Sequence, residues 1–195
     1  MAYLKHDLGP LRPLYDGNMP ADGYVGEPGQ AMTAGAGITS GTGTVYLSFV
    51  ERQGPIVKTT IFIDLTGLNS GGSDGDIIGV NATANCHLGQ ITKAVNGSLF
   101  KGVISCLEVP TGGEPDIDVG SASVATGTED AAFSGLSGQV VNLASAADFT
   151  AIGQSRTLTS VPVADSYLYL VASGGATNAT YTAGQFVIEL FGYAV

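Results

Sequence analysis

From Thr44 to the C-terminus the chain is a succession of short segments rich in Val, Ile, Thr, Tyr and Phe, each closed off by Gly, Asn, Ser or Asp. This punctuation constrains the fold more than any other feature, because segments of this length suit pleated, half-buried strands and leave no room for a helical period. Ten segments read as strands: 44–50, 56–68, 76–82, 87–95, 99–109, 116–124, 139–144, 156–163, 166–173 and 185–195. In the last, Phe186, Ile188, Leu190 and Gly192 fall on one face and Val187, Glu189, Phe191 and Tyr193 on the other. Short strands, Gly-rich turns and no βαβ rhythm predict an all-β fold: an antiparallel β-sandwich, jelly-roll-like. Only 128–135 and 145–153 read as helical turns, the first opening on Thr128 with Glu129 and Asp130 where the helix dipole favours negative charge.

Residues 1–43 have another texture. "GPLRPLYDGNMPADGYVGEPGQ" alternates Pro and Gly with isolated apolar residues, and neither period survives. Leu4, Leu8, Leu11, Leu14, Tyr15 and Tyr24 are too apolar for a solvated linker, so the segment is expected to be an extended N-terminal arm that docks on another surface, with Arg12 among its anchors. Fully extended it would reach on the order of 100 Å or more. The organisation expected is therefore an arm at 1–43 and a β-sandwich domain at 44–195, the alternative being a tail wrapped over its own domain.

Charge narrows the choice of partner. The net charge is −10, and from residue 102 onward nine acidic residues face a single basic one, Arg156. Nucleic acid is not an expected partner, because neutralising phosphates takes a Lys/Arg face. No apolar run reaches the roughly 18 residues that span a bilayer, and the start lacks a continuous apolar stretch, so neither a membrane nor export by a signal peptide is expected. Cys86 and Cys106 are expected to be buried free thiols. The sequons at Asn81, Asn96 and Asn178 would matter only after secretion.

Candidate chemistry is sparse, and no cofactor is expected. "NSGGSDGDIIG" (69–79) offers Asp74 and Asp76 as oxygen ligands for calcium, but the pattern is not repeated, so a turn is expected, with Ser73 and Asp74 exposed and the isoleucines buried. Asp116 and Asp118 fall on one strand face and could share a cation; a solvated face is the plainer expectation. Those four are the metal candidates. His6 lies in the arm, and His87, beside Cys86, reads as a surface or capping histidine; adjacent on a strand, Cys86 and His87 point to opposite faces and cannot act as nucleophile and base together. No catalytic motif is present, and an enzyme is not expected.

"DGDIIG" (74–79), "CLEVPTGGEPDIDV" (106–119) and "YLYLVASGGATNATYTAGQFVIELFGYAV" (167–195) resemble the small Gly/Thr-rich β-sandwich proteins of tailed-bacteriophage heads, the decoration or cement proteins. The resemblance covers roughly residues 60–195. It implies a virion structural protein on the capsid exterior, made in the host cytoplasm, that clamps neighbouring major capsid proteins and forms a symmetric homo-oligomer, a trimer ahead of a dimer. Phe186, Ile188, Phe191 and Tyr193 are the candidate oligomer contacts, since apolar residues stand on both faces of the last strand. The alternative expectation is a carbohydrate-binding or adhesin module of a virion fibre or cell surface, which shares the architecture; the chain has no Trp, but its eight Tyr could line a shallow site.

Overall fold

The computed structural model describes residues 32–143, 147–174 and 178–195, together with the backbone of Tyr24 and Val25. Its strands are β1 (Tyr24–Val25), β2 (Val45–Gln53), β3 (Ile56–Asp64), β4 (His87–Gln90), β5 (Ser98–Thr111), β6 (Asp116–Ala122), β7 (Val140–Leu143), β8 (Ser155–Thr157), β9 (Tyr167–Ser173) and β10 (Ala183–Tyr193). They form a six-stranded sheet, β1-β2-β3-β10-β5-β8, and a four-stranded sheet, β4-β9-β6-β7, with every pairing antiparallel. From β3 onward the pairs are nested: β3 with β10, β4 with β9, β5 with β8, β6 with β7. This is jelly-roll connectivity, with β1 and β2 added to one edge.

The core follows from strand alternation. Rows across the six-stranded sheet run Tyr46–Ile63–Phe186–Cys106 and Ser48–Ile61–Ile188–Ile104 in direct register, and they face Ile117, Val119, Leu168 and Leu170 of the other sheet, all buried. Each of the Ile, Leu, Val and Phe side chains among them contributes about 1.5–3 kcal/mol on burial. Phe149 closes one end of the core, edge-on to Phe186 with ring centroids 5.0 Å apart.

The structure redraws several expected elements. Residues 76–82 form no strand. Ala172 N–H donates to Asp76 O (2.8 Å) and Ile78 N–H to Leu170 O (3.0 Å), extending the edge beside β9 for one bridge before Ala82 and Asn85, at φ 54° and 61°, turn the chain away. The strand expected over 87–95 stops at Gln90 because Thr92 caps a helical turn, α2 (Lys93–Asn96): its Oγ1 accepts from Val95 N–H (3.2 Å) while its own N–H donates to Asn96 Oδ1 (2.8 Å). Asn96 is fully buried and donates to Thr59 Oγ1 (2.9 Å). Strand β8 is cut to three residues because Thr159 and Ser160 N–H groups turn to Asn142 O across the sandwich.

Of the expected helical turns, 128–135 keeps a 3-10 turn at Phe133–Gly135, and 147–153 carries none. Residues 32–43, expected in the arm, pack on the sandwich. Met32, Ala34 and Ile38 join the core, a short helix α1 (Ala36–Thr39) forms, and Met32 bonds through both its N–H and its carbonyl to Ser48 Oγ. The arm residues Leu4, Leu8, Leu11, Arg12, Leu14 and Tyr15 lie outside the described residues, as does the side chain of Tyr24. None of the helices among the described residues is long and apolar enough to cross a membrane.

The alternation along β10 sets up a contrast. Phe186→Ala empties a core position and is expected to cost about 3–5 kcal/mol, whereas Tyr193→Ala, on the outward face, is expected to cost within about 0.5 kcal/mol. Urea unfolding of the two variants beside the parent checks this.

Candidate functional site

The outer face of the four-stranded sheet is where the chain departs most from regularity. Gly120 sits between Asp118 and Ala122 on β6, and a Cβ there would lie 2.4 Å from Phe133. The missing side chain lets the tip of the Phe133 ring come down onto the strand, and the ring packs against Tyr169 with centroids 5.9 Å apart. Tyr169 Oη ties the crossing segment down, donating to Val124 O (2.7 Å) and accepting from Gly127 N–H (3.3 Å). Burial raises the Tyr169 phenol to about 12, so it stays a donor at any physiological pH.

Beside Phe133 opens a cavity of about 280 Å³. Asp118, Gly120 and Val171 form its floor; Asp74 and Ser173 stand on one side, Ser134, Gln139 and Val141 on the other. Asp74 reaches it from the loop of 69–79, with Oδ1 accepting from Ser173 Oγ (3.1 Å) and Gly174 N–H (3.2 Å). That loop is a turn, with Ser73 and Asp74 exposed, Ile77 and Ile78 fully buried, and Gly71 and Gly75 at φ 74° and 87°.

The four carboxylates singled out in the sequence are therefore regrouped. Asp74 joins Asp118 in the cavity. Asp76 turns inward, its Oδ2 accepting from Ser73 N–H (2.7 Å), and meets Asp130 and Glu129 instead. Asp116 and Asp118 do not lie on a solvated face: they are 3% and 7% exposed, because the segments around Gly75 and Phe133 cover this side of the sheet. Arg156 lies 3.9 Å from Asp116, stacks 3.8 Å over Phe149 and donates to Asp148 O (2.9 Å). Among the described residues no three His, Cys, Asp or Glu side chains converge to hold a metal ion.

Glu129 and Asp130 read in the sequence only as the first turn of a helical segment, not as site residues; their closeness to the Asp76 loop in three dimensions reveals them. Glu129 is 4% exposed and Oε2 accepts from Ala82 N–H (2.8 Å); burial, then the charges of Asp130 and Asp76, pushes its carboxyl upward. Burial and Asp130 do the same to Asp76. Asp130 itself adopts φ 63° and accepts from Gly72 N–H (2.5 Å). His87 corrects another expectation. It is 9% exposed, packed against Tyr167 (centroids 4.9 Å) and Tyr169 (6.3 Å), its Nδ1 has no hydrogen-bond partner among the described residues, and burial lowers its pKa. Cys86 and Cys106 are buried free thiols, as expected, and burial pushes Cys86 up to about 12.

The outer face of the six-stranded sheet is a separate surface. Phe186 and Ile188 are fully buried in the core and cannot contribute to an oligomer contact, since their alternation points them at the other sheet. Phe191 and Tyr193 do face outward, in rows that run Glu51–Lys58–Phe191–Lys101 and Gln53–Ile56–Tyr193–Ser98, beside the rows Leu47–Phe62–Val187 and Phe49–Thr60–Glu189–Val103. Leu47 is 51% and Tyr193 53% exposed, and Tyr193 stacks on Phe100 at 4.7 Å. The charges in this face are mixed: Lys58 pairs with Glu189 (2.5 Å), and Lys101 lies 5.9 Å over Phe191.

Compared with protein-family models, curated proteins and solved structures, the chain matches none.

Asp130→Asn keeps the acceptor for Gly72 N–H, tolerates the left-handed backbone and removes one of three neighbouring negative charges. It is expected to stabilise the fold near neutral pH. Because the folded-state values of Asp76 and Glu129 are raised, the folded protein takes up their protons first as pH falls, and the gain should shrink toward about pH 4. Denaturation midpoints of both proteins across that range measure it.

His87 has the opposite sign. Its lowered value means that its contribution to stability is fully present above the unfolded pKa of 6.5 and is lost as pH falls below that, when the unfolded chain binds a proton the folded one resists. His87→Phe keeps the aromatic packing and should shed this part of the acid sensitivity; the stability difference between variant and parent, followed from about pH 8 to 5, is expected to move in the variant's favour only below about 6.5.

Proposed function

We propose that the protein is a structural component of a virus particle, a decoration or cement protein that lies on the capsid exterior and clamps neighbouring major capsid proteins. The observation that carries the reading is the outer face of the six-stranded sheet. Leu47, Phe62, Val187, Phe191 and Tyr193 present apolar surface there that the core does not consume, interspersed with Glu51, Lys58, Asp64, Lys101 and Glu189. Exposed apolar side chains gathered with ion-paired charges on one sheet face suit a protein partner. The opposite side of the sandwich differs in kind, with Asp74, Asp76, Asp116, Asp118, Glu129 and Asp130 gathered on or beneath it. A molecule with outward apolar side chains among paired charges on one side and a cluster of carboxylates on the other has a natural orientation on a lattice: the first side against protein, the acidic side toward water.

Jelly rolls serve in capsids and in lectins alike, so the fold by itself does not choose between them. The sequence resemblance to phage head proteins supports the capsid. In this reading the segment before residue 32 supplies further docking contacts, and copies associate around a local symmetry axis, a trimer ahead of a dimer, through Phe191 and Tyr193 together with Leu47 and Phe62. Each contact adds modest energy, and many copies together oppose the outward pressure of packaged DNA.

Introducing charge into the apolar face tests this. Leu47→Glu with Phe191→Glu is expected to leave cooperative thermal unfolding intact while retention on undecorated capsids falls at least tenfold, about 1.4 kcal/mol. Unchanged retention, in a sedimentation assay with purified capsids, would remove the face from the interface. Light scattering at micromolar concentration reads the self-association in the same samples.

A further inference from the structure

The cavity on the outer face of the four-stranded sheet has no part in the capsid reading. The geometry points to a binding site there for one neutral, hydroxyl-rich ring, a hexose residue of a glycan. The inference rests on the cavity alone and stands or falls apart from the capsid.

Size comes first. At about 280 Å³ the cavity lies at the small end of ligand pockets, which run from about 300 Å³ upward, and it suits one sugar ring better than a longer chain. Its lining then selects the chemistry. Asp74 and Asp118 are acceptors, and no basic side chain is among the described lining residues. An anionic ligand would meet two carboxylates and no basic side chain in the lining, which selects against phosphate, sulfate and uronic acids. A ligand rich in O–H donors is what carboxylates bind well, through charge-assisted hydrogen bonds.

The polar groups are also distributed rather than convergent. Asp74 and Ser173 stand on one side, Ser134 and Gln139 on the other, with Asp118 at the floor. Among the described residues no three ligating side chains meet at one point, so the arrangement does not chelate a single ion. Partners around a perimeter match hydroxyls around a ring. Val141, Val171 and the edge of Phe133 supply apolar surface for the ring's C–H faces. Preorganisation completes the case: Asp74 is fixed by two hydrogen bonds from the end of β9, and Phe133 is locked over Gly120, where no side chain larger than hydrogen fits beneath it.

The test uses the full-length, isotope-labelled protein without capsids. Methyl glycosides of glucose, galactose and mannose are titrated in turn, with methyl glucuronide as the anionic arm and n-butylammonium as the cationic one, and amide shifts are followed by NMR. At least one neutral hexoside is expected to give saturable shifts at Gly75, Gly120, Gln139 and Ser173, and the glucuronide none. Two variants at exposed lining positions avoid disturbing the buried carboxylates: Gln139→Ala should weaken binding about tenfold and Val141→Trp, which fills the cavity, should abolish it, both with cooperative melting retained. The inference is overturned if no hexoside saturates, if the shifts survive in Val141→Trp, or if n-butylammonium binds and the hexosides do not.

Discussion

Strand β10 exchanges backbone hydrogen bonds along both of its edges, with β3 from Gln185 to Tyr193 and with β5 from Ala183 to Tyr193. Remove it and the six-stranded sheet becomes two unconnected ribbons with four raw edges, each a template for wrong pairing. The strand also carries Phe186, the largest of its own inward side chains, and it separates the two surfaces of its sheet by alternation alone. Five inward positions, from Gly184 to Gly192, are buried, and the outward ones between them are not. Core, sheet continuity and the outward face of this sheet thus depend on one stretch of period-two sequence.

The two sheets treat their outer faces differently for a local reason. On the six-stranded sheet nothing among the described residues crosses over Phe62 and Val187, so apolar side chains remain accessible. On the four-stranded sheet Gly120 leaves a gap, Phe133 fills it, and the segment that carries Phe133 brings Glu129 and Asp130 with it. Covering a face this way buries carboxylates, which is costly unless hydrogen bonds compensate. Backbone N–H groups supply part of that compensation: Ala82 to Glu129 and Ser73 to Asp76. What remains is expressed as raised carboxyl pKa values.

Strand content was legible where alternation was long and its ends were marked by turn residues, as in β10, β9 and β5. It misled where local hydrogen bonding overrode it. "DIIGVNA" has the composition of a strand, but it makes only isolated bridges, one of them to β9, and Ala82 and Asn85 take left-handed conformations that turn it away. Thr92 reads as a β-former and acts as a helix cap. Burial of residues 32–43 escaped notice because Met32, Ala34 and Ile38 are spread among Gly and Thr, with no period to show which way they point. The site was less legible still. Asp74 and Asp118 each have an acidic neighbour two residues away, which drew attention to Asp76 and Asp116; the pairing that the fold makes joins the turn before β4 to the middle of β6. Gly120 was the missed signal, a glycine inside a strand, which marks a close approach by something else.

The nested pairing also fixes the entropy of assembly. Bringing Asp64 beside Gln185 in an unstructured chain closes a loop of more than a hundred residues, whereas Val119 and Leu143 are neighbours across a short one. Closure entropy grows only logarithmically, at about 0.6 kcal/mol per doubling, but the first long contact has few hydrogen bonds to set against it. Once β6 and β7 are joined, β5 and β8 are brought near; once those pair, β4 and β9 follow, and β10 meets β3 across what has become a short gap. The jelly roll is thus entropically cheapest when zipped from the inside outward, and its outermost pair, β3 with the chain's final strand, is the one whose loop shrinks most when everything within it has already formed.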